Sequence, residues 1–299
     1  MKKLRYKSVF VSDVHLGTNG CHAKELSRLL KRVECEKLFL VGDIIDMWRL
    51  KQRWYWPAEH NDVIRRLLKL ARKTEVIFVP GNHDDAARQY CGLEFGGVRV
   101  EQDFVHETAA GERLLIVHGD EFDMVVKHSP WLAQFGAWAY GWLTSVNTVY
   151  NAIRRRLGLQ YWSLAAFVKS KVKGACTFIS SFEKTLARAA AARGVDGVVC
   201  GHIHKAEVRE VEGVNYYNCG DWVESCTLLV EHEDGRMELV DGLRLLNELL
   251  QRRLKKETAD SVDVETVLKP SEGSLEPFMP SSWAARHELS EEEEPERVG

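Results

Sequence analysis

Five short segments carry side chains that bind divalent cations: Asp13-Val14-His15, Gly42-Asp43-Ile44-Ile45-Asp46, Gly81-Asn82-His83-Asp84, His118-Gly119-Asp120 and Gly201-His202-Ile203-His204. Each alone says little, because a lone His is more often a surface or core residue. All five, in order and each after an apolar run, exceed what chance assembles. The donors are Asp13, Asp43, Asn82, His15, His118, His202 and His204. They are oxygen and nitrogen with no thiolate, which suits Mn2+ first, or Fe2+ or Zn2+, rather than a Cys-type structural zinc. Seven ligands are too many for one ion of ordinary coordination. They fit two divalent metal ions that share a carboxylate, about 3.5–4 Å apart. Such a pair acidifies a bridging water and neutralises phosphoryl oxygens, so the expected chemistry is in-line attack on phosphorus.

Elements must bring these segments together. Residues 7–13, 37–43 and 75–82 are short β-rich apolar runs, each ending in one of the polar clusters. Between them, 23–33 and 59–73 repeat Leu, Ile and Val at helical spacing. Alternating strand and helix implies parallel βαβ units, whose strand ends collect in one crevice. Later, 98–120, 196–202, 206–219 and 225–241 read as strands with Gly turns, giving a more antiparallel second sheet facing the first. An Ala-rich helix at about 177–193 should stop at Gly194. The overall class is α/β, with two facing mixed β-sheets flanked by helices. Asp46 and Asp120 fit helix N-capping as well as support of the site. Cys219, Gly220 and Asp221 read as packing with a carboxylate near the site.

Composition sets limits on this reading. With 299 residues, 45% hydrophobic and 28% charged, the chain can bury a real core and is neither collagen-like nor mostly disordered. Its N-terminus lacks the long apolar stretch of a secretory signal. Seven scattered cysteines without a CxxC pair read as reduced residues of a cytoplasmic protein. Formal charge is −3, but residues 257–299 hold 12 acids and 3 bases and read as a disordered acidic tail after a domain spanning 1–256. Residues 124–173 hold seven bases and no acid, and 130–153 carry no charge at all. Gln134, Thr144, Ser145, Asn147, Thr148 and Asn151 argue against a membrane-spanning helix there. The expectation is a helical insertion at 124–175. Its Trp131, Trp138, Trp142 and Trp162 would face lipid, and its Arg and Lys groups an anionic membrane surface. Bases clustered within an apolar insertion do not track a nucleic-acid backbone, so no nucleic acid is expected.

The series D-x-H, G-D-x-x-D, G-N-H-D, H-G-D and G-H-x-H resembles the calcineurin-like metallophosphoesterases across roughly residues 8–222. That resemblance implies the metallophosphoesterase sandwich with the helical insertion as a lid. It implies that Asp13, His15, Asp43 and His204 hold one metal, and Asp43, Asn82, His118 and His202 the other, with Asp43 bridging. It implies that His83 lies beside the substrate phosphate and stabilises or protonates the leaving oxygen, oriented by Asp84, with Asp46 in support. The segments GDIIDMW (42–48), HGDEFD (118–123) and GDWVES (220–225) are similar to the UDP-2,3-diacylglucosamine pyrophosphatase branch. That branch cleaves a nucleotide-linked lipid diphosphate at the cytoplasmic face of the membrane. An Arg follows the metal-binding Asn in that branch, whereas His83 stands there in this chain.

Overall fold

The structure is a computed structural model that describes residues 3–122, 150, 151, 154, 173–252 and 254. Most of the expected 124–175 insertion and the whole 257–299 tail lie outside the described residues. Contacts gather the chain into Met1–Arg253 and Leu254–Gly299, and the fold below belongs to the first unit.

Two sheets carry the fold. The first contains β1 (Leu4–Val11), β2 (Val33–Val41), β3 (Glu75–Val79), β4 (Glu94–Phe95) and β5 (Val98–Val100), joined by β11 (Thr227–Glu231) and β12 (Met237–Asp241), in the order β12-β11-β1-β2-β3-β5-β4. The second contains β6 (Phe104–Glu107), β7 (Arg113–Ile116), β8 (Gly197–Cys200), β9 (Glu207–Val211) and β10 (Val214–Asn218), in the order β6-β7-β8-β10-β9. β1, β2, β3 and β5 pair in parallel. Helices α1 (Ala23–Leu30), α2 (Met47–Gln52), α3 (Ala58–Leu70) and α4 (Lys173–Ala192) accompany the sheets, with short 3-10 turns at Asp85–Tyr90 and Asp120–Phe122 and a further helix over 242–252.

The later strands depart in detail from the sequence reading. β7, β8 and β10 pair in parallel, with antiparallel β6 and β9 at the edges. β11 crosses to the first sheet and runs antiparallel to β1. The long connection containing α4 separates β7 from β8, and parallel pairing needs such a crossover.

Side-chain alternation builds four layers. On β1, β2 and β3, Phe10, Phe39, Val41, Ile77 and Val79 point between the sheets and meet Leu114, Ile116, Val199 and Tyr217. Phe10 and Phe39 stack with ring centroids 4.7 Å apart. The alternate residues Val9, Val11, Leu38, Leu40 and Val76 face outward against α1 and α3. On the far side, Leu115, Val117, Val198 and Cys200 pack under Phe182, Leu186, Ala187 and Ala190 of α4. Each sheet is apolar on both faces because each is covered on both, the pattern of buried parallel strands. α4 ends where Gly194 adopts φ +65°, a left-handed stop.

Candidate metal centre

The parallel strands of both sheets end at one edge, and every cation-binding segment follows such an end: 12–16 after β1, 42–46 after β2, 80–84 after β3, 117–120 after β7 and 201–204 after β8. The β1–β2 pairing continues past the strands as the Asp13 N–H donates to the Gly42 carbonyl (3.0 Å) and the His15 N–H to the Asp43 carbonyl (2.9 Å). An isolated Leu16–Ile45 bridge prolongs it. This fixes the backbone of three ligand positions by ladder geometry before any side chain acts.

The backbone at this edge is strained. Asp13, His15, Asp43, His202 and His204 have φ between 50° and 68°, leaving only Glu212 and Cys226 as other non-glycine residues of positive φ among those described. Such conformations cost roughly 1–3 kcal/mol each and persist where surrounding bonds over-determine them. Close approach explains the glycines. A Cβ at Gly42 would collide with the His118 ring, and one at Gly201 with Ser12 Oγ and the Asp13 carboxylate.

Asp43 sits at the centre. Its Oδ2 lies 3.4 Å from His118 Nε2, 3.8 Å from His15 Nε2 and 4.0 Å from His83 Nε2. Its Oδ1 accepts from the His83 backbone N–H at 2.8 Å. Asp13 Oδ1 lies 3.1 Å from His204 Nε2 and 3.8 Å from His15 Nε2, while its Oδ2 accepts from the His202 N–H and the Ser12 hydroxyl. Three ligand groups form, each with atoms within 4.8 Å: Asp13–His15–His204, His15–Asp43–His83 and Asp13–Asp43–His118. The His202 ring stands 5.3 Å from the His118 ring, centroid to centroid.

Donor chemistry tests whether cations fit. His118 Nδ1 faces the Val41 carbonyl at 3.0 Å, so Nδ1 carries a proton and Nε2 faces Asp43, where it holds either a second proton or a cation. Nε2 makes no hydrogen bond although buried, and neither does buried Asn82 Oδ1. His15 and His204 point their Nε2 atoms at each other across 3.2 Å. Buried acceptors without donors, converging beside two carboxylates, are what divalent cations satisfy. The residues fit.

Electrostatics agree. Burial alone would lower His118, but the Asp43 charge outweighs it and the imidazole is pushed up to about 10. Burial is likewise overcome at His15, which bonds to Asp13 and Asp46 hold well above its ordinary value. Burial would raise Asp13, Asp43 and Asp46, yet the surrounding imidazoles keep all three below the usual carboxylate range. The pocket thus concentrates negative charge that attracts positive charge, as protons or as metal.

The sequence-derived residues separate into groups here. Asp13, His15, Asp43, His118 and His204 converge as expected, with Asn82 and His202 beside them. Asp84 differs from expectation: its carboxylate accepts from the backbone N–H groups of Gly81 (2.5 Å), Asp43 (3.2 Å) and Ile44 (2.7 Å), not from the His83 ring. It ties the 81–84 loop to the 42–46 loop. Burial, then the Asp43 charge, pushes Asp84 up to about 6. The group that reaches His83 is Asp46, whose Oδ1 lies 3.0 Å from His83 Nδ1 and whose Oδ2 lies 3.3 Å from His15 Nδ1. Asp46 also caps α2, accepting from the Arg49 N–H at 2.9 Å. Asp120 holds Arg88. Asp221 accepts from the N–H groups of Val223 and Glu224 and so shapes its own turn. Two contributors carried no sequence signal of their own: Ser12, bonded to Asp13 and to the Val41 carbonyl, and Trp48, whose ring lies 4.3 Å from the His83 ring.

This chain is similar to known proteins in sequence and in fold. A protein of Histophilus somni (strain 2336) named UDP-2,3-diacylglucosamine hydrolase is 30% identical over 122 residues, 38% of this chain and 49% of that protein. One of the same name from Blochmanniella pennsylvanica (strain BPEN) is 27% identical over 116 residues, 38% of this chain and 46% of that protein. The chain thus spans about half the length of the curated relatives it matches. Among solved structures, a novel archaeal phosphodiesterase matches with TM-score 0.39 and 14% identity, covering 78% of this chain and 98% of its own. A hypothetical protein of Pyrococcus horikoshii OT3 matches with TM-score 0.44 and 11% identity, covering 85% and 94%. The family profile described as Calcineurin-like phosphoesterase matches residues 6–206, a span that contains every cation-binding segment from Asp13 to His204. The chain belongs to the calcineurin-like phosphoesterase family.

Proposed function

We propose that this protein is a metal-dependent hydrolase that cleaves a phosphoester or diphosphate bond in a nucleotide-linked lipid, such as UDP-2,3-diacylglucosamine. The observation that carries the reading is the convergence of Asp13, His15, Asp43, His118 and His204 around one central carboxylate, with buried acceptors left over for cations. Asp13, His15, Asp43 and His204 would hold one ion, and Asp43, Asn82, His118 and His202 the other. Such a pair supplies an acidified water and charge neutralisation at the phosphoryl oxygens. His83 donates its Nε2 proton to the departing oxygen, and Asp46 steadies the ring through Nδ1. Trp48 fixes the plane of that ring. Asp84 keeps the Asp43 loop in its strained shape through bonds from the Asp43, Ile44 and Ile45 backbone N–H groups.

The curated relatives' names and the segments 42–48, 118–123 and 220–225 support the lipid-linked substrate. The basic, acid-free 124–173 segment supports a peripheral seat on an anionic membrane surface at its cytoplasmic face. Among the described residues, no helix is long and apolar enough to cross a membrane. His83 favours a second reading, a paralogue acting on another phospholipid or a small phosphoester, because an imidazole rather than a guanidinium follows Asn82.

The test is an assay of phosphorus-containing products from UDP-2,3-diacylglucosamine, UDP-glucose, a phospholipid and an aryl phosphodiester, with added manganese. The lipid-linked nucleotide is expected to turn over fastest. Preference for the phospholipid or the simple diester would favour the second reading, and no turnover of any of the four would defeat both.

A further inference from the structure

α1 and α3 lie side by side on the outer face of the seven-stranded sheet, away from the strand ends that build the metal centre. Between them runs a groove of about 410 Å3. Arg28 and Lys31 line it from α1, and Arg65, Arg66 and Lys69 from α3. Its one carboxylate, Asp62, is held by Arg65 at 2.5 Å. Arg28, Lys31, Arg66 and Lys69 make no ion pair among the described residues, whereas Arg88, Arg99, Arg188 and Arg236 each hold a carboxylate. The Nε of Arg66 is buried and makes no hydrogen bond, as at Arg88 and Arg99, but unlike theirs its guanidinium holds no carboxylate among the described residues.

Unpaired like charges facing one groove repel one another. The helix dipole accounts for Arg28 and Lys69, in the last turns of their helices. It does not account for Arg65 and Arg66, a turn earlier and opening on the same groove. A buried guanidinium nitrogen without an acceptor is a donor waiting for one. Ser27 adds a hydroxyl donor to the groove. No aromatic side chain lines it, so a base would find no stacking surface. What remains is recognition of phosphate oxygens by guanidinium forks and ammonium groups.

We propose that the α1–α3 groove binds an anion bearing two or more adjacent phosphate groups, at a site separate from the metal centre. The phosphates belong either to a soluble oligophosphate or to the headgroups of a lipid surface, since both offer the same oxygens. The inference stands independently of the hydrolase reading, because the groove shares no residue with that site.

The experiment compares wild-type protein with the variant R28Q/R66Q/K69Q, both as purified with metal. Inorganic tripolyphosphate is titrated calorimetrically at low salt, and phosphatidylglycerol vesicles are sedimented beside phosphatidylcholine vesicles. Tripolyphosphate binding weakened at least roughly tenfold in the variant supports the groove with a soluble ligand. Binding confined to phosphatidylglycerol vesicles and lost in the variant supports it with a headgroup. Equal binding by both proteins, or no binding of either probe, overturns the proposal. Aryl phosphodiester turnover should be unchanged in the variant. Should the triple variant fail to fold, K31Q/K69Q, which alters two exposed side chains, reads the same outcomes.

Discussion

Asp43 faces three imidazoles through Oδ2 and the His83 backbone through Oδ1, so one side chain joins both halves of the centre. His83 occupies a different role. Its Nδ1 lies 3.0 Å from Asp46 Oδ1 and its ring lies against Trp48, an arrangement that suits the proposed proton donation from Nε2. His83→Asn should therefore lower kcat on an aryl phosphodiester by about 10²–10⁴ while bound metal, measured by plasma emission, stays constant; metal lost in parallel would mean that His83 is a ligand instead. The sequence reading attached His83 to Asp84. Adjacent residues look like natural partners in a sequence, yet Asp84 turns to backbone N–H groups and the clamp comes from Asp46 on another loop. The titrations of the site give a second expectation. In metal-free protein, His118 at about 10 contributes stability that is full below 6.5 and lost as pH rises through about 10. Asp13, Asp43 and Asp46, held low, contribute stability that is full above 3.8 and lost as pH falls. Asp84, raised to about 6, adds a cost that builds as pH rises from 3.8 through 6. The chelated protein should then melt at a lower temperature at about pH 9.5 than at about pH 5.5, and manganese should remove the difference by replacing those protons. A flat melting profile after chelation would contradict this.

At the scale of elements, loops after parallel strands do the positioning, and bonds between loops hold them in register. Arg88 is one such tie. Its Nη2 donates to the Pro80 carbonyl at 3.2 Å and to both Asp120 oxygens at 2.8 Å, while Nη1 reaches Asp85 at 2.9 Å. Pro80 leads into Asn82 and Asp120 follows His118, so one guanidinium spans two loops assigned to the same cation. Arg88→Ala should weaken manganese binding by roughly 10–100-fold in calorimetric titration, with Arg88→Lys recovering only part because an ammonium lacks the second nitrogen that reaches Asp85. Unaltered affinity in both variants would remove Arg88 from the account. β1, β2 and β3 and helices α1, α3 and α4 were legible in the sequence because each buries a continuous apolar face of strand or helix period. Of α2 only the Asp46 cap was legible, because the helix is six residues long and buries none of them. The pairing of β11 with β1 was not legible, since periodicity says which face of a strand is buried and nothing about its neighbour.

Across the whole molecule, a sandwich covered on both outer faces leaves one edge for chemistry. The sequence showed that edge well, because polar clusters interrupt apolar strands at every point that contributes to it. The 124–173 segment is less legible, because it has composition but no periodic partner. If that segment seats the protein on lipid, changing Arg154, Arg155 and Arg156 to Glu should release it from anionic vesicles in a sedimentation assay while aryl phosphodiester hydrolysis persists; unchanged sedimentation would assign the membrane contact elsewhere. The central claim, however, is that distant loops assemble a two-cation centre. Anomalous diffraction from crystals soaked in a manganese salt measures this most directly. Two peaks are predicted, one on each side of the Asp43 carboxylate and about 3.5–4 Å apart, one against Asp13, His15 and His204 and the other against Asn82, His118 and His202. A map without signal at Asp43 at full manganese occupancy elsewhere, or a single peak that Asp43 does not touch, would contradict it.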